Sequence, residues 1–191
     1  MSHHFFALLS RMRYIQRWGL MRNTTTENVS EHSHMVAVIA HALAVIKNEK
    51  FGGSVDPGEA AVAALYHDAP EILTGDLPTP VKYFNPAIKD AYKQVEEVSA
   101  EKLLSLLPEE LRDIYRPYVS EKCGSDIHAL VKAADKLSAH IKCVEELKAG
   151  NLEFREAAAS TRAVLEKLPL PEVQYFMQEF LPAFSLTLDE L

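Results

Sequence analysis

Cysteine is nearly missing from this chain: two occur in 191 residues, Cys123 and Cys143, and no Cys-x-x-Cys pair. That rules out a disulfide framework and fits a reducing cytoplasm. A basic surplus is missing too. The 20 Lys and Arg against 27 Asp and Glu leave a net charge of -7, which argues against polymeric nucleic acid as the main partner. A small anionic substrate stays open, because a metal ion and one or two arginines reverse the sign locally. The start, Met1-Ser-His-His-Phe-Phe-Ala-Leu-Leu, has no basic region, and its apolar run is too short for a signal peptide. No stretch reads as the roughly 20 apolar residues of a membrane span, so no membrane partner is expected. Alternating apolar and polar runs are scarce, and no repeat, low-complexity tract or Gly/Ser linker is present. Strands are therefore not expected. What remains, 48% apolar and 25% charged residues, describes one domain over 1–191 with a sizeable core. Its periodicity is helical.

A first helix suits residues 3–16, with Phe6, Leu9, Met12 or Arg13, and Gln16 stepping along it. Ser30 reads as the cap of a second helix running to about Lys50, with Glu31 in its first turn. Its apolar stripe is Val36, Ile39, Ala40, Leu43 and Ile46. His32 shares that face, while His34 and His41 point elsewhere. Asp56-Pro57-Gly58-Glu59 is a strong start for a third helix, which is almost wholly apolar and closes on Tyr66-His67-Asp68. Pro70 prevents its continuation, and Glu71 follows where the chain turns away. Thr74 to Pro80 reads as an ordered loop stiffened by two prolines. A fourth helix from Asn85-Pro86 to about Leu107 has Ile88, Ala91, Tyr92, Val95, Val98 and Leu103 inward. A short fifth begins at Pro108. A long sixth is capped by Ser125 and ended by Gly150, with the stripe Ile127, Leu130, Val131, Ala134, Leu137 or Ser138, and Ile141. Asp135 sits at the margin of that stripe. Residues 151–167 and 171–180 give two more helices, and the tail from Leu186 has no clear period.

His32, the pair His67-Asp68, and Asp135 thus lie on three helices, each on or beside an apolar face. Buried polar groups must be paired or bind metal. Two imidazoles and two carboxylates without thiolate suit Mn, Co, Fe, Ni or Zn, and four protein ligands favour five- or six-coordinate Mn, Co or Fe over closed tetrahedral Zn. Plainer readings exist for each residue. His32 could be a core histidine, His67-Asp68 a helix end with a dipole contact, and Asp135 a surface acid. Arg17 could merely pair with Glu27, Trp18 could be core, Glu71 a solvated acid, and Asp76 to Thr79 a rigid turn.

The order His32, His67-Asp68, Asp135 resembles the HD-domain metal-dependent phosphohydrolases over most of the chain. The words Glu27-Asn28-Val29-Ser30-Glu31-His32 and Leu73-Thr74-Gly75-Asp76-Leu77-Pro78-Thr79-Pro80-Val81-Lys82-Tyr83-Phe84 narrow the likeness. With Arg17-Trp18, Met21-Arg22-Asn23 and Lys132-Ala133-Ala134-Asp135, they resemble the bacterial 5'-deoxynucleotidases of that superfamily. The resemblance implies an all-α, single HD-domain helical bundle (core about 28–140, flanking helices at both ends) with the metal site between helices. It implies hydrolysis of deoxyribonucleoside 5'-monophosphates to deoxynucleoside and phosphate, with ribonucleotides disfavoured. One divalent ion per subunit, Co, Mn or similar, would be held by His32, His67, Asp68 and Asp135. Glu71, Asp68 and Arg17 would be catalytic: Glu71 moving a proton, Asp68 bridging metal and substrate water, and Arg17 holding the phosphate with a planar fork that Lys lacks. Trp18 would pack against C2' of the sugar, so that a 2'-hydroxyl finds no partner. The loop Asp76, Leu77, Pro78 and Thr79 would close over sugar or base, and His32, Asp68 and Asp135 would border the substrate. A cytoplasmic homodimer is implied as well. The rival expectations are another HD nucleotide phosphohydrolase, acting on a dNTP or a signalling nucleotide, and a non-catalytic nucleotide-binding module.

Overall fold

The computed structural model describes residues 3–82 and 84–191; Met1, Ser2 and Tyr83, the last within the Leu73–Phe84 word, lie outside the described residues. Among the described residues, ten α-helices follow in order: α1 (Phe5–Leu9), α2 (Val29–Phe51), α3 (Pro57–Tyr66), α4 (Glu71–Thr74), α5 (Thr79–Lys82), α6 (Pro86–Leu104), α7 (Glu109–Val119), α8 (Ser125–Lys148), α9 (Arg155–Leu165) and α10 (Pro171–Glu179). Among the described residues there is no strand, only an isolated antiparallel bridge between Gln16 and Asn28. The all-α expectation is borne out.

α2 is the central element. Val36, Ile39, Ala40, Leu43 and Ile46 are all buried as the stripe foretells, against α3, α8 and α10. Each fully buried Leu such as Leu43 contributes about 2 kcal/mol. By length and hydropathy (1.3 over its best window) α2 could cross a membrane, contrary to the sequence reading. Here 56% of that window is buried in the bundle, so it is a core helix. A smaller second core gathers Phe5, Ala69, Ala100, Leu103, Leu104, Leu107 and Val119. The turn His67 to Pro70 runs along the seam, with Ala64 in the first core and Ala69 in the second.

Local chemistry moves several boundaries. Asn28, not Ser30, caps α2: its Oδ1 accepts the Glu31 amide at 3.0 Å while Glu31 Oε2 accepts the Asn28 amide at 3.1 Å, a reciprocal box that Ser30 cannot form. Ser125 is the first helical residue of α8 and Gly124 precedes it as the cap. The first helix ends at Leu9 and tightens to a 3-10 segment through Tyr14, burying Phe5 and Met12 and exposing Phe6. In α6 the expected inward residues Ile88, Ala91, Val95 and Val98 are exposed, and only Ser99, Ala100, Leu103 and Leu104 are buried. α6 packs on the short α4 and α5 and on α7, which leaves much of its stripe uncovered.

Candidate metal centre and active site

Three helices bring the four expected ligands together. His32 enters from the first turn of α2 and is fully buried, His67 and Asp68 come from the end of α3, and Asp135 comes from the middle of α8. One ligand atom each from His32, His67 and Asp135 lies within 4.8 Å of the others. Asp68 Oδ2 completes the group, 3.1 Å from His67 Nε2 and 3.6 Å from His32 Nε2. His32 Nε2 lies 3.1 Å from Asp135 Oδ1, and its Nδ1 is 3.2 Å from Ser138 Oγ.

His67 decides what this cluster can hold. A carbonyl only accepts, so the 2.7 Å contact between His67 Nδ1 and Ala64 O requires the proton on Nδ1. The neutral ring then presents a bare Nε2 lone pair to the Asp68 carboxylate. That buried nitrogen has no hydrogen-bond partner. Lone pair against carboxylate at 3.1 Å is repulsive unless a cation lies between them. A proton is one such cation. Burial lowers the His67 pKa, but Asp68, Asp135 and the Ala64 carbonyl raise it more, and the net shift is upward. A divalent ion is the other cation, and its binding would release that proton. The donor set, the tautomer and the spacing therefore fit a divalent metal.

The acids answer in kind. Burial alone would raise the Asp68 carboxyl, but His67, His32 and Arg17 hold it well below the usual range. Burial likewise opposes Asp135, and its hydrogen bond and charge interaction with His32, then Lys136 and His67, hold it down. Glu71 goes the other way. Burial first, then Asp68 and Asp76, outweigh Arg17 and Lys82 and push it up to about 9. Its Oε2 is buried without a partner. The sequence suggested a loose carboxylate, but Glu71 is buried in the one-turn helix α4.

Arg17 shows the plain reading, a pair with Glu27, and adds a contact to the cluster: Nε meets Glu27 Oε2 at 3.2 Å, and Nη1 meets Asp68 Oδ2 at 3.4 Å. The bridge that pairs Arg17 N with Glu27 O (2.9 Å) and Val29 N with Ile15 O (3.0 Å) places it there. Trp18 is half-buried, donates its indole N–H to the same Glu27 oxygen at 3.0 Å, and packs on Phe154 with ring centroids 5.3 Å apart. Asp76, on the facing loop, is half-buried; burial raises its pKa and the Arg17 charge opposes that. Leu77 and Pro78 continue this loop half-buried, and exposed Thr79 opens α5 rather than extending the turn. Sequence reasoning passed over Glu27 as an organiser. Its place immediately before the α2 cap carries no periodic signal.

A family model described as 5'-deoxynucleotidase YfbR-like matches residues 4–184. The 5'-deoxynucleotidase YfbR of Escherichia coli strain SMS-3-5 is 56% identical over 189 residues, covering 98% of this chain and 95% of that protein. Its counterpart from Shigella boydii serotype 18 gives the same figures. Among solved structures, an HD-domain phosphohydrolase from Listeria innocua superposes with a TM-score of 0.84 at 27% identity, over 95% of this chain and 88% of that one. A cyanophage S-2L HD phosphohydrolase bound to dA and one catalytic zinc ion gives a TM-score of 0.62 at 20% identity, over 94% and 95%, a likeness of fold.

Proposed function

The chain belongs to the YfbR-like 5'-deoxynucleotidase family, and on that premise we propose that it is a divalent-metal-dependent phosphomonoesterase selective for deoxyribonucleoside 5'-monophosphates. The observation that carries the metal is the bare His67 Nε2 aimed at Asp68 beside His32 and Asp135. These four residues would hold the ion; with oxygen and nitrogen donors only, Mn or Co would suit them. Bound there, the ion supplies the Lewis acidity that makes water nucleophilic near neutral pH and offsets phosphoryl charge.

The chain's own groups do the rest. Phosphoryl transfer needs positioning and charge neutralisation more than covalent help. Arg17 turns its guanidinium toward Asp68, where a phosphate beside the metal would meet its fork. Glu71, whose carboxyl burial, Asp68 and Asp76 push up to about 9, keeps a proton it can give or take beside the site. Trp18, anchored by Glu27 and backed by Phe154, offers a flat apolar face to the sugar. Asp76 to Thr79 cover sugar or base from the other side. His32, Asp68 and Asp135 border the substrate as well as the ion. The enzyme works in a reducing cytoplasm, as free Cys123 and Cys143 suit, and as a homodimer.

Phosphate release from dAMP and AMP, with Mn or Co and then with EDTA, tests the reading. Orthophosphate from dAMP, little from AMP and none with EDTA is expected. Pyrophosphate or triphosphate released from dATP, with no phosphate from dAMP, would move the assignment to a triphosphohydrolase. Metal bound without hydrolysis would leave a binding module.

A further inference from the structure

One buried ion pair lies outside the machinery above. Lys142 and Glu146, one turn apart on α8, are 5% and 2% exposed and bond to each other. Against a well-packed apolar pair, such an ion pair is weak evidence for stability. Apart from one bond to Asn151, its remaining side-chain bonds go to one place, the segment between Trp18 and Asn28. Glu146 Oε2 accepts the Thr24 amide at 2.9 Å and the Thr24 hydroxyl at 2.7 Å, and Oε1 accepts the Thr25 amide at 3.2 Å. Lys142 Nζ donates to the Thr25 carbonyl and lies 5.8 Å from the centre of the Phe154 ring, the ring that backs Trp18. Asn151 donates both to Glu146 (2.8 Å) and to the Arg22 carbonyl (2.7 Å).

The segment has reason to be held. Trp18 sits at φ 58°, in the left-handed region that a bulky residue keeps only when its surroundings impose it. The Met21 amide at 2.9 Å and the Asn23 carboxamide at 3.4 Å bind its carbonyl; Asn23 lies within the strip 22–25 that Glu146 and Asn151 hold, and Met21 adjoins it. Burial alone would raise the Glu146 carboxyl; Lys142, Asn151 and Thr24 hold it well below the usual range, so it meets these donors as a full anion.

We propose that Lys142 and Glu146, with Asn151, are positioning residues for sugar selection: they clamp residues 22–25, and through them set the left-handed Trp18 and its indole against the substrate. The proposal rests on the reading that Trp18 faces the sugar. Two variants test it, Glu146→Gln and the milder Thr24→Val, which removes only the hydroxyl donor. Trp18 is the single tryptophan, so its emission reports the clamp without any turnover. Expected for Glu146→Gln is a dAMP-over-AMP preference reduced about tenfold, carried by KM for dAMP more than by kcat, with red-shifted, more quenchable emission and unchanged metal stoichiometry. Thr24→Val shifts the same readouts in the same direction by about threefold. If Glu146→Gln does not fold, Thr24→Val decides alone. Folded variants with unchanged preference and emission would overturn the proposal and leave the pair a structural one. A Trp18→Ala protein that keeps the preference defeats the sugar-contact reading beneath it. One that loses the preference, beside a clamp variant that keeps it, defeats the clamp alone.

Discussion

Replacing Glu71 with glutamine is expected to lower kcat for dAMP by about 10²- to 10⁴-fold, with KM changed less than about threefold and one ion still bound per chain. Glutamine keeps the shape and the burial and removes only the transferable proton. Its Oε2 is buried without a hydrogen-bond partner among the described residues. The same substitution carries a stability signature in the metal-free protein. The folded Glu71 carboxyl is raised from its ordinary 4.5 to about 9 by burial and by Asp68 and Asp76. Between those values the folded chain keeps a proton that the unfolded chain has lost, so stability falls as pH rises through the window. With EDTA present, Glu71→Gln should therefore melt above the unsubstituted protein at pH 8, and the gap should close toward pH 4.5. An unchanged kcat would remove the proton-transfer role. A melting difference independent of pH would remove the raised pKa.

Trp18→Ala should bring kcat/KM for AMP and dAMP to within about fivefold of each other, from a preference on the order of 10². An apolar surface rejects an added hydroxyl modestly, by leaving it unpaired, and that limits the effect in both directions. The loss should come mainly through dAMP, whose apolar C2' edge loses its contact, while Arg17 keeps its contact with Asp68. A Trp18→Ala enzyme that still rejects AMP would place sugar selection elsewhere, and the Asp76 to Thr79 loop would be the next surface to test.

Much of this site was legible before the fold was known, for a definite reason. His32 shares a helical face with Val36 and Ile39, and a polar residue in a buried stripe needs a partner; the structure buries it completely. His67-Asp68 ends an apolar helix before Pro70, and the chain turns there along the seam of the two cores. Other features leave no periodic trace. The cap of α2 depends on which side chain reaches the Glu31 amide, and Asn28 reaches it from two residues before Ser30. The pattern of α6 records an amphipathic helix but not whether anything packs on it, and Val98 is exposed. Lys142 and Glu146 show the spacing of an ordinary surface pair, although the segment packed over them buries both. Glu71 reads as a loop acid because neither its own one-turn helix nor its burial leaves a repeat in the sequence.

The claim on which the rest depends is the ion between α2, α3 and α8, and a Mn titration of the metal-free protein, followed by electron paramagnetic resonance, tests it most directly. One site per chain is predicted for the unsubstituted protein, with protons released as it fills, and no tight site in His67→Ala or Asp135→Ala of unchanged helical content. Mn bound as tightly by those folded variants would contradict the account.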